Sequence, residues 1–142
     1  MIDPGLDHFH PVATSKELGE GPLEVRLHGR EVALFRAGGK VGALWDRCPH
    51  RAMRLSEGRV CAGRLVCPYH GWSFLPDGSG QSPGAPGMIV TADGLAAVER
   101  DGAIWVRPRG SSAPYPRFDT AGYAEVGVLR HRVRAPLPVV LD

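Results

Sequence analysis

Only three cysteines occur in these 142 residues, at positions 48, 61 and 67. Two of them stand beside histidines in short motifs, so Cys61 is left without a partner and no disulfide forms within the chain. That scarcity suits a reducing compartment. Charge of one sign is scarce as well: seventeen Lys and Arg against fifteen Asp and Glu leave a net charge of +2, too little for the concentrated basic patch of a nucleic-acid binder. No stretch approaches the roughly eighteen apolar residues of a membrane span, and Met1-Ile2-Asp3-Pro4-Gly5 lacks a positive region followed by an apolar run. The expectation is a cytoplasmic protein that binds neither nucleic acid nor membrane.

What is present points to one folded unit. Apolar residues at 43% and charged ones at 23% argue against disorder, and the length allows one core but not two domains of ordinary size. Nineteen glycines and thirteen prolines favour an all-β chain with many turns. Pro11-Val12-Ala13 reads as a short strand. Thr14 with Glu17 is a capping-box pattern, expected to cap one helical turn at Ser15-Lys16-Glu17-Leu18 before Gly19 and Gly21 end it. The period then becomes two. Leu23-Glu24-Val25-Arg26-Leu27, Val32-Ala33-Leu34-Phe35 and Val41-Gly42-Ala43-Leu44-Trp45 form a three-strand meander that turns at His28-Gly29-Arg30 and Gly38-Gly39. Val60-Cys61 and Arg64-Leu65-Val66 make a hairpin around Ala62-Gly63, with Cys61 expected to be a packed side chain. Leu95-Ala96-Ala97-Val98-Glu99 and Ala103-Ile104-Trp105-Val106-Arg107 make another around Asp101-Gly102.

Two stretches carry the chemistry: Cys48-Pro49-His50-Arg51 and Cys67-Pro68-Tyr69-His70-Gly71-Trp72, with sixteen residues between His50 and Cys67. Each offers one soft thiolate and one borderline imidazole. A [2Fe-2S] rhomb held between two loops meets both irons from both sides, so each loop must supply one ligand of each kind. Two histidines in place of two cysteines on one iron is the established Rieske pattern. Cys48, His50, Cys67 and His70 are therefore the candidate cluster ligands. Pro49 and Pro68 stiffen the loops by fixing φ, and Gly71 permits a close turn after His70. The alternative is a structural zinc site, since two Cys and two His also complete a tetrahedron. A zinc finger, however, usually begins with two cysteines and ends with two histidines on a helix, which these motifs do not.

The two motifs, with Gly58 between them and Ser73, Phe74 and Gly78 after them, resemble the Rieske domain of bacterial ring-hydroxylating and demethylating oxygenases. The likeness extends more weakly from Phe9-His10-Pro11-Val12 to the tail. It implies an all-β Rieske fold: a small antiparallel β-sandwich or barrel-like core whose two ligand loops form a cluster-binding subdomain. The implied division is an N-terminal arm over 1–10, the [2Fe-2S] domain over 11–110 with cluster-binding loops at about 46–87, and a C-terminal extension over 111–142. Met53 and Tyr69 stand where respiratory Rieske proteins carry a bridging pair of cysteines, which places the chain with the oxygenases and ferredoxins. Where the respiratory type has a Ser and a Tyr donating to the cluster, this chain has Trp72 and Phe74. Fewer donors imply a low potential. Gln81-Ser82-Pro83-Gly84-Ala85-Pro86-Gly87, expected to be strandless, resembles a third loop covering the cluster.

The resemblance also implies the work: one-electron transfer from a flavin- or ferredoxin-type reductase to an oxygenase catalytic domain or subunit with a mononuclear non-haem iron. The other reading is a free-standing Rieske-type ferredoxin serving a separate oxygenase. Pro-rich 108–116 marks a break in composition. Beyond it, Glu125-Val126-Gly127-Val128-Leu129 and Arg130-His131-Arg132-Val133-Arg134 alternate as a strand with three arginines on one face, an ordinary polar face. The remaining histidines, 8, 10, 28 and 131, do not supply a mononuclear iron triad by spacing. His8 and His10 read as part of a surface arm, and His28 as a solvent-facing turn residue.

Overall fold

Four two-residue turns shape the chain. Positive φ at both central positions is found at His28-Gly29 (48°, 76°), Gly38-Gly39 (59°, 76°), Ala62-Gly63 (49°, 71°) and Asp101-Gly102 (53°, 73°). This left-handed pair matches the twist of the flanking strands, so each turn closes a tight antiparallel hairpin. The computed structural model describes residues 6–117, 119 and 121–124, and among them the regular structure is mainly strand, with a 3-10 turn at Leu55–Glu57.

Eleven strands are seen: β1 His10–Thr14, β2 Leu23–Leu27, β3 Arg30–Ala37, β4 Lys40–Trp45, β5 Arg59–Cys61, β6 Arg64–Val66, β7 Ser73–Phe74, β8 Ser79–Ser82, β9 Ala85–Thr91, β10 Gly94–Arg100 and β11 Ala103–Pro108. A six-stranded sheet runs β1-β11-β10-β4-β3-β2, and a five-stranded sheet runs β5-β6-β7-β8-β9. Every pairing is antiparallel. The larger sheet curls until β1 approaches β2.

Strand β3 explains why the two sheets hold together. Val32 and Leu34 enter the core inside the curled sheet, whereas Ala33, Phe35 and Ala37 enter a second core shared with the smaller sheet. Burial on both faces is the reason Val32-Ala33-Leu34-Phe35 is an unbroken apolar run rather than an alternation. Leu55, Leu65 and Phe74 join the second core, as do Cys48 and Cys67.

Some expectations need correction. The Thr14–Glu17 box is closed in both directions, with the Thr14 N–H donating to Glu17 Oε2 (2.6 Å) and the Glu17 N–H to Thr14 Oγ1 (3.3 Å). It closes a turn and not a helical turn, because Gly19 and Gly21 follow before helix can propagate. The 81–87 stretch is not strandless: β8 and β9 reach into it and leave only Pro83-Gly84 as a turn. Cys61 is exposed, not packed. It ends β5, an outer strand of the smaller sheet, where alternation turns Val60 towards the core instead. His28 is an exposed turn residue as expected, and its ring meets that of His10 edge-on at 5.7 Å. After Pro108 the chain stays against the larger sheet, the Tyr115 hydroxyl donating to Asp101 Oδ2 at 2.9 Å and its ring meeting Trp105 and Phe9. The strand expected over 125–134 lies outside the described residues.

Candidate metal centre

Strand register brings three loops to one end of the smaller sheet. Arg59 pairs with Val66, Val66 with Ser73, and Ser73 with Gln81. The segment entering β5, the 67–72 loop between β6 and β7, and the Pro83-Gly84 turn therefore emerge together. The first segment, 46–58, comes from the end of β4 in the larger sheet, so the ligand end is assembled by both sheets.

The two ligand loops share one backbone design. The Cys48 N–H donates to the Met53 carbonyl (2.8 Å), and the Ala52 N–H donates back to the Cys48 carbonyl (2.8 Å). Nineteen residues on, the Cys67 N–H donates to Trp72 (2.7 Å) and the Gly71 N–H to Cys67 (3.2 Å). Both loops turn through positive φ at the equivalent place, Ala52 at 58° and Gly71 at 72°. Gly71 was legible in the sequence, since glycine takes that conformation freely. Ala52 was not.

This design sorts the donors by depth. Cys48 and Cys67 are 2% and 3% exposed, while His50 and His70 are exposed and meet edge-on with ring centres 4.8 Å apart. Burial, followed by the adjoining Cys67 thiol, pushes Cys48 up to about 11, against the pull of the His50 and Arg51 N–H groups. Two thiols packed together in a dry site resist becoming thiolates until a metal supplies compensating charge. Slight desolvation and then the neighbouring His70 and Arg51 charges hold His50 below its ordinary value, which favours the neutral form a metal ligand needs.

Three contacts brace the loops. The carboxylate of Asp46, with no exposed side-chain surface, accepts from the Ser56 N–H (2.7 Å) and hydroxyl (2.5 Å). It thereby ties the entrance of the first ligand loop to its exit, with Arg54 Nε at 3.7 Å. The His50 ring lies flat on Trp72, 4.5 Å between centres and 8° from parallel, which joins the first loop to the second. Pro83 lies against the second loop, its Cγ 3.6 Å from where a side chain on Gly71 would begin. Nothing in the local sequence marked Asp46, whose partner is ten residues away. Phe74 is fully buried and the Ser73 hydroxyl accepts from Arg64 Nε at 2.8 Å.

A buried thiol pair beneath an exposed imidazole pair suits a centre with two metals, one facing sulfur and one facing nitrogen. The residues present fit a two-iron cluster.

An all-β scaffold with such a donor set defines an iron–sulfur electron-transfer domain. The chain belongs to the Rieske [2Fe-2S] domain family, whose family model matches residues 8–92, and the cofactor is a Rieske-type [2Fe-2S] cluster. It is similar to the methylxanthine N1-demethylase NdmA of Pseudomonas putida, 39% identical over 114 residues that cover 72% of this chain and 32% of that protein. It is also similar to the oxygenase component of dicamba O-demethylase from Stenotrophomonas maltophilia, 39% identical over 107 residues, 70% of this chain and 31% of that one. The structure of Pseudomonas putida NdmA with caffeine superposes with a TM-score of 0.74 at 36% identity, covering 82% of this chain and 38% of that chain. The chain thus spans about a third or less of the length of the curated relatives it matches. Among the described residues no helix is long and apolar enough to cross a membrane.

Proposed function

We propose that this chain is the Rieske part of a non-haem iron oxygenase. It takes electrons singly from a flavin- or ferredoxin-type reductase and passes them to a mononuclear iron in a catalytic domain or subunit. The observation that carries this reading is that relatives named as a demethylase and as an oxygenase component are each 39% identical to this chain over more than a hundred residues. The proposed ligands are Cys48 and Cys67 on the inner iron and His50 and His70 on the outer one.

When bound, the cluster accepts and returns one electron. The chain's own residues decide how. His50 and His70 are exposed, so their free ring edges are the port for the electron, and a proton can follow it there as the charge changes. Trp72 and Phe74 bring no hydroxyl to the cluster. With few donors to stabilise added charge, the potential belongs near the bottom of the roughly −150 to +300 mV span of Rieske centres.

The proposed unit for this work is 11–110, with 1–10 as an arm and 111–142 leading towards the catalytic partner. A cytoplasmic location is proposed because the thiols are unpaired. The test is to purify the chain without chelators, count iron and acid-labile sulfide, and titrate the redox potential. About two of each per chain and a potential in the lower half of that span are expected. One zinc and no sulfide would end the reading. Electron delivery to an intact separate oxygenase, with no catalytic domain attached, would assign the chain to the ferredoxins instead.

A further inference from the structure

We propose that His10 and His28 form a second metal site, a two-imidazole clamp for a divalent ion of the zinc or nickel kind, set across the seam where the larger sheet closes on itself. Neither ring is among the proposed cluster ligands, so the inference goes beyond the electron-transfer reading and does not rest on it.

The strand order makes β1 and β2 the two edges of the six-stranded sheet, with no ladder between them. Curling nevertheless brings these edges together. His10 opens β1, and His28 follows the last residue of β2. The pair therefore spans the seam at a place where no backbone hydrogen bonds close it. In the sequence His10 has only His8 near it, on a short arm; folding is what supplies His28.

The two rings meet with their centres 5.7 Å apart and their planes 76° from parallel. Two imidazoles that bind one tetrahedral ion through nitrogens at about 2.0–2.1 Å have ring centres about 5–5.5 Å apart. The pair proposed for the outer iron, His50 and His70, stands at 4.8 Å and 66°. The two histidine pairs thus bracket the chelating separation from either side, and the exposed His28 side chain is able to turn the small amount required.

The second nitrogen of His10 is already committed. Its Nε2 lies 3.3 Å from the Leu6 carbonyl oxygen, which can only accept, so Nε2 carries the proton and Nδ1 keeps its lone pair. A backbone carbonyl on the far nitrogen is the usual support of a metal-binding histidine. Burial, helped by the neighbouring His28 and His8 charges and opposed by the Leu6 carbonyl, lowers the proton affinity of the half-buried His10 ring. Divalent late transition metals are the class that imidazole selects. No third His, Cys, Asp or Glu of the described residues joins the pair, so water fills the other positions of the ion. Bound there, the ion staples β1 to β2 and stabilises the folded chain by mass action.

The test titrates Ni2+ alone into the chain with its metal centre filled, prepared without a histidine tag and carrying C61S to remove the exposed thiol. Calorimetry is expected to show about one Ni2+ bound per chain with the visible spectrum unchanged. H10Q and H28N are each expected to weaken that binding about tenfold or more, because a clamp needs both rings. Asparagine tolerates the positive φ of 48° at position 28, so a loss in H28N is not a loss of the turn. At Ni2+ about a hundredfold above the measured dissociation constant, the urea midpoint of the parent is expected to rise by about 1 M, and that of H28N by much less. No binding, or binding that survives in either variant, would overturn the site. Equal rises of the midpoint in parent and H28N would overturn the staple.

Discussion

The imidazole of His50 rests on the indole of Trp72, parallel to within 8° and 4.5 Å away between ring centres. The two residues belong to different loops, so their contact is a cross-brace between the two halves of the proposed metal centre. Trp72 also packs against the core that contains both cysteines. Replacing it by alanine removes a half-buried aromatic surface and the stack, a loss of about 2 kcal/mol. W72A is expected to release iron to a chelator several-fold faster than the parent, with W72F between the two; decay of the visible absorbance measures it.

Asp46 ties the first ligand loop at its base. D46A leaves the Ser56 N–H and hydroxyl without their acceptor, and groups deprived of a charged partner in a buried site cost about 1–3 kcal/mol. S56A removes only the hydroxyl bond and is expected to cost about 1 kcal/mol. Urea unfolding monitored by tryptophan fluorescence should rank the two in that order, and D46A protein should purify with less iron.

Gly58 sits where the first loop enters β5. A side chain there would begin 2.0 Å from the Val66 carbonyl oxygen, one residue before Cys67, and backbone cannot yield as a side chain can. G58A is expected to destabilise by about 3 kcal/mol or to prevent assembly of the centre. The comparison is with G19A, where a new methyl meets nothing within 4 Å. Thermal melts of the two should differ by several degrees.

Arg36 on β3 and Glu99 on β10 form a two-pronged ion pair between residues 63 apart in sequence, one prong 3.0 Å long. The Arg36 hydrogen bonds hold the Glu99 carboxyl below its ordinary value, outweighing a small desolvation effect. A carboxyl depressed in the folded state adds stability above its unfolded pKa of about 4.3, and that contribution fades as pH falls through the folded value. The stability difference between the parent and E99Q should therefore be constant from about pH 7 to about pH 5.5 and shrink below about pH 4.5. A difference that grows on acidification would contradict the assignment.

The three thiols differ in access. Cys61 is exposed, while Cys48 and Cys67 are buried and Cys48 is pushed up to about 11. Maleimide at neutral pH is expected to label one thiol per loaded chain quickly, and C61S should abolish that phase while keeping its iron. After iron removal the other two should label slowly. Intact mass measured over time gives both counts.

Much of this arrangement was legible in the chain. Cys48, His50, Cys67 and His70 stand in motifs a few residues long, and a short motif keeps its ligands together whatever surrounds it. The hairpins at His28-Gly29, Gly38-Gly39, Ala62-Gly63 and Asp101-Gly102 were readable for a like reason: glycine beside a turn-tolerant residue dictates a local backbone path. Local chemistry also marked the Thr14–Glu17 box, although whether it opened a helix or a plain turn depended on what followed.

Other features are decided only by tertiary structure, because they join residues that are distant in sequence. Asp46 finds Ser56 across the whole first ligand loop. His50 finds Trp72 across two strands, and Arg36 finds Glu99 across the larger sheet. Cys61 lies outside and Cys48 inside because one ends an outer strand and the other lies between two sheets, a difference of neighbours that alternation along a single strand cannot express. The sequence by itself marked the two Cys–His motifs that are proposed to hold the cluster. Only folding decided that the sulfurs lie beneath and the imidazoles above, since depth from solvent is a property of packed layers and not of residue order.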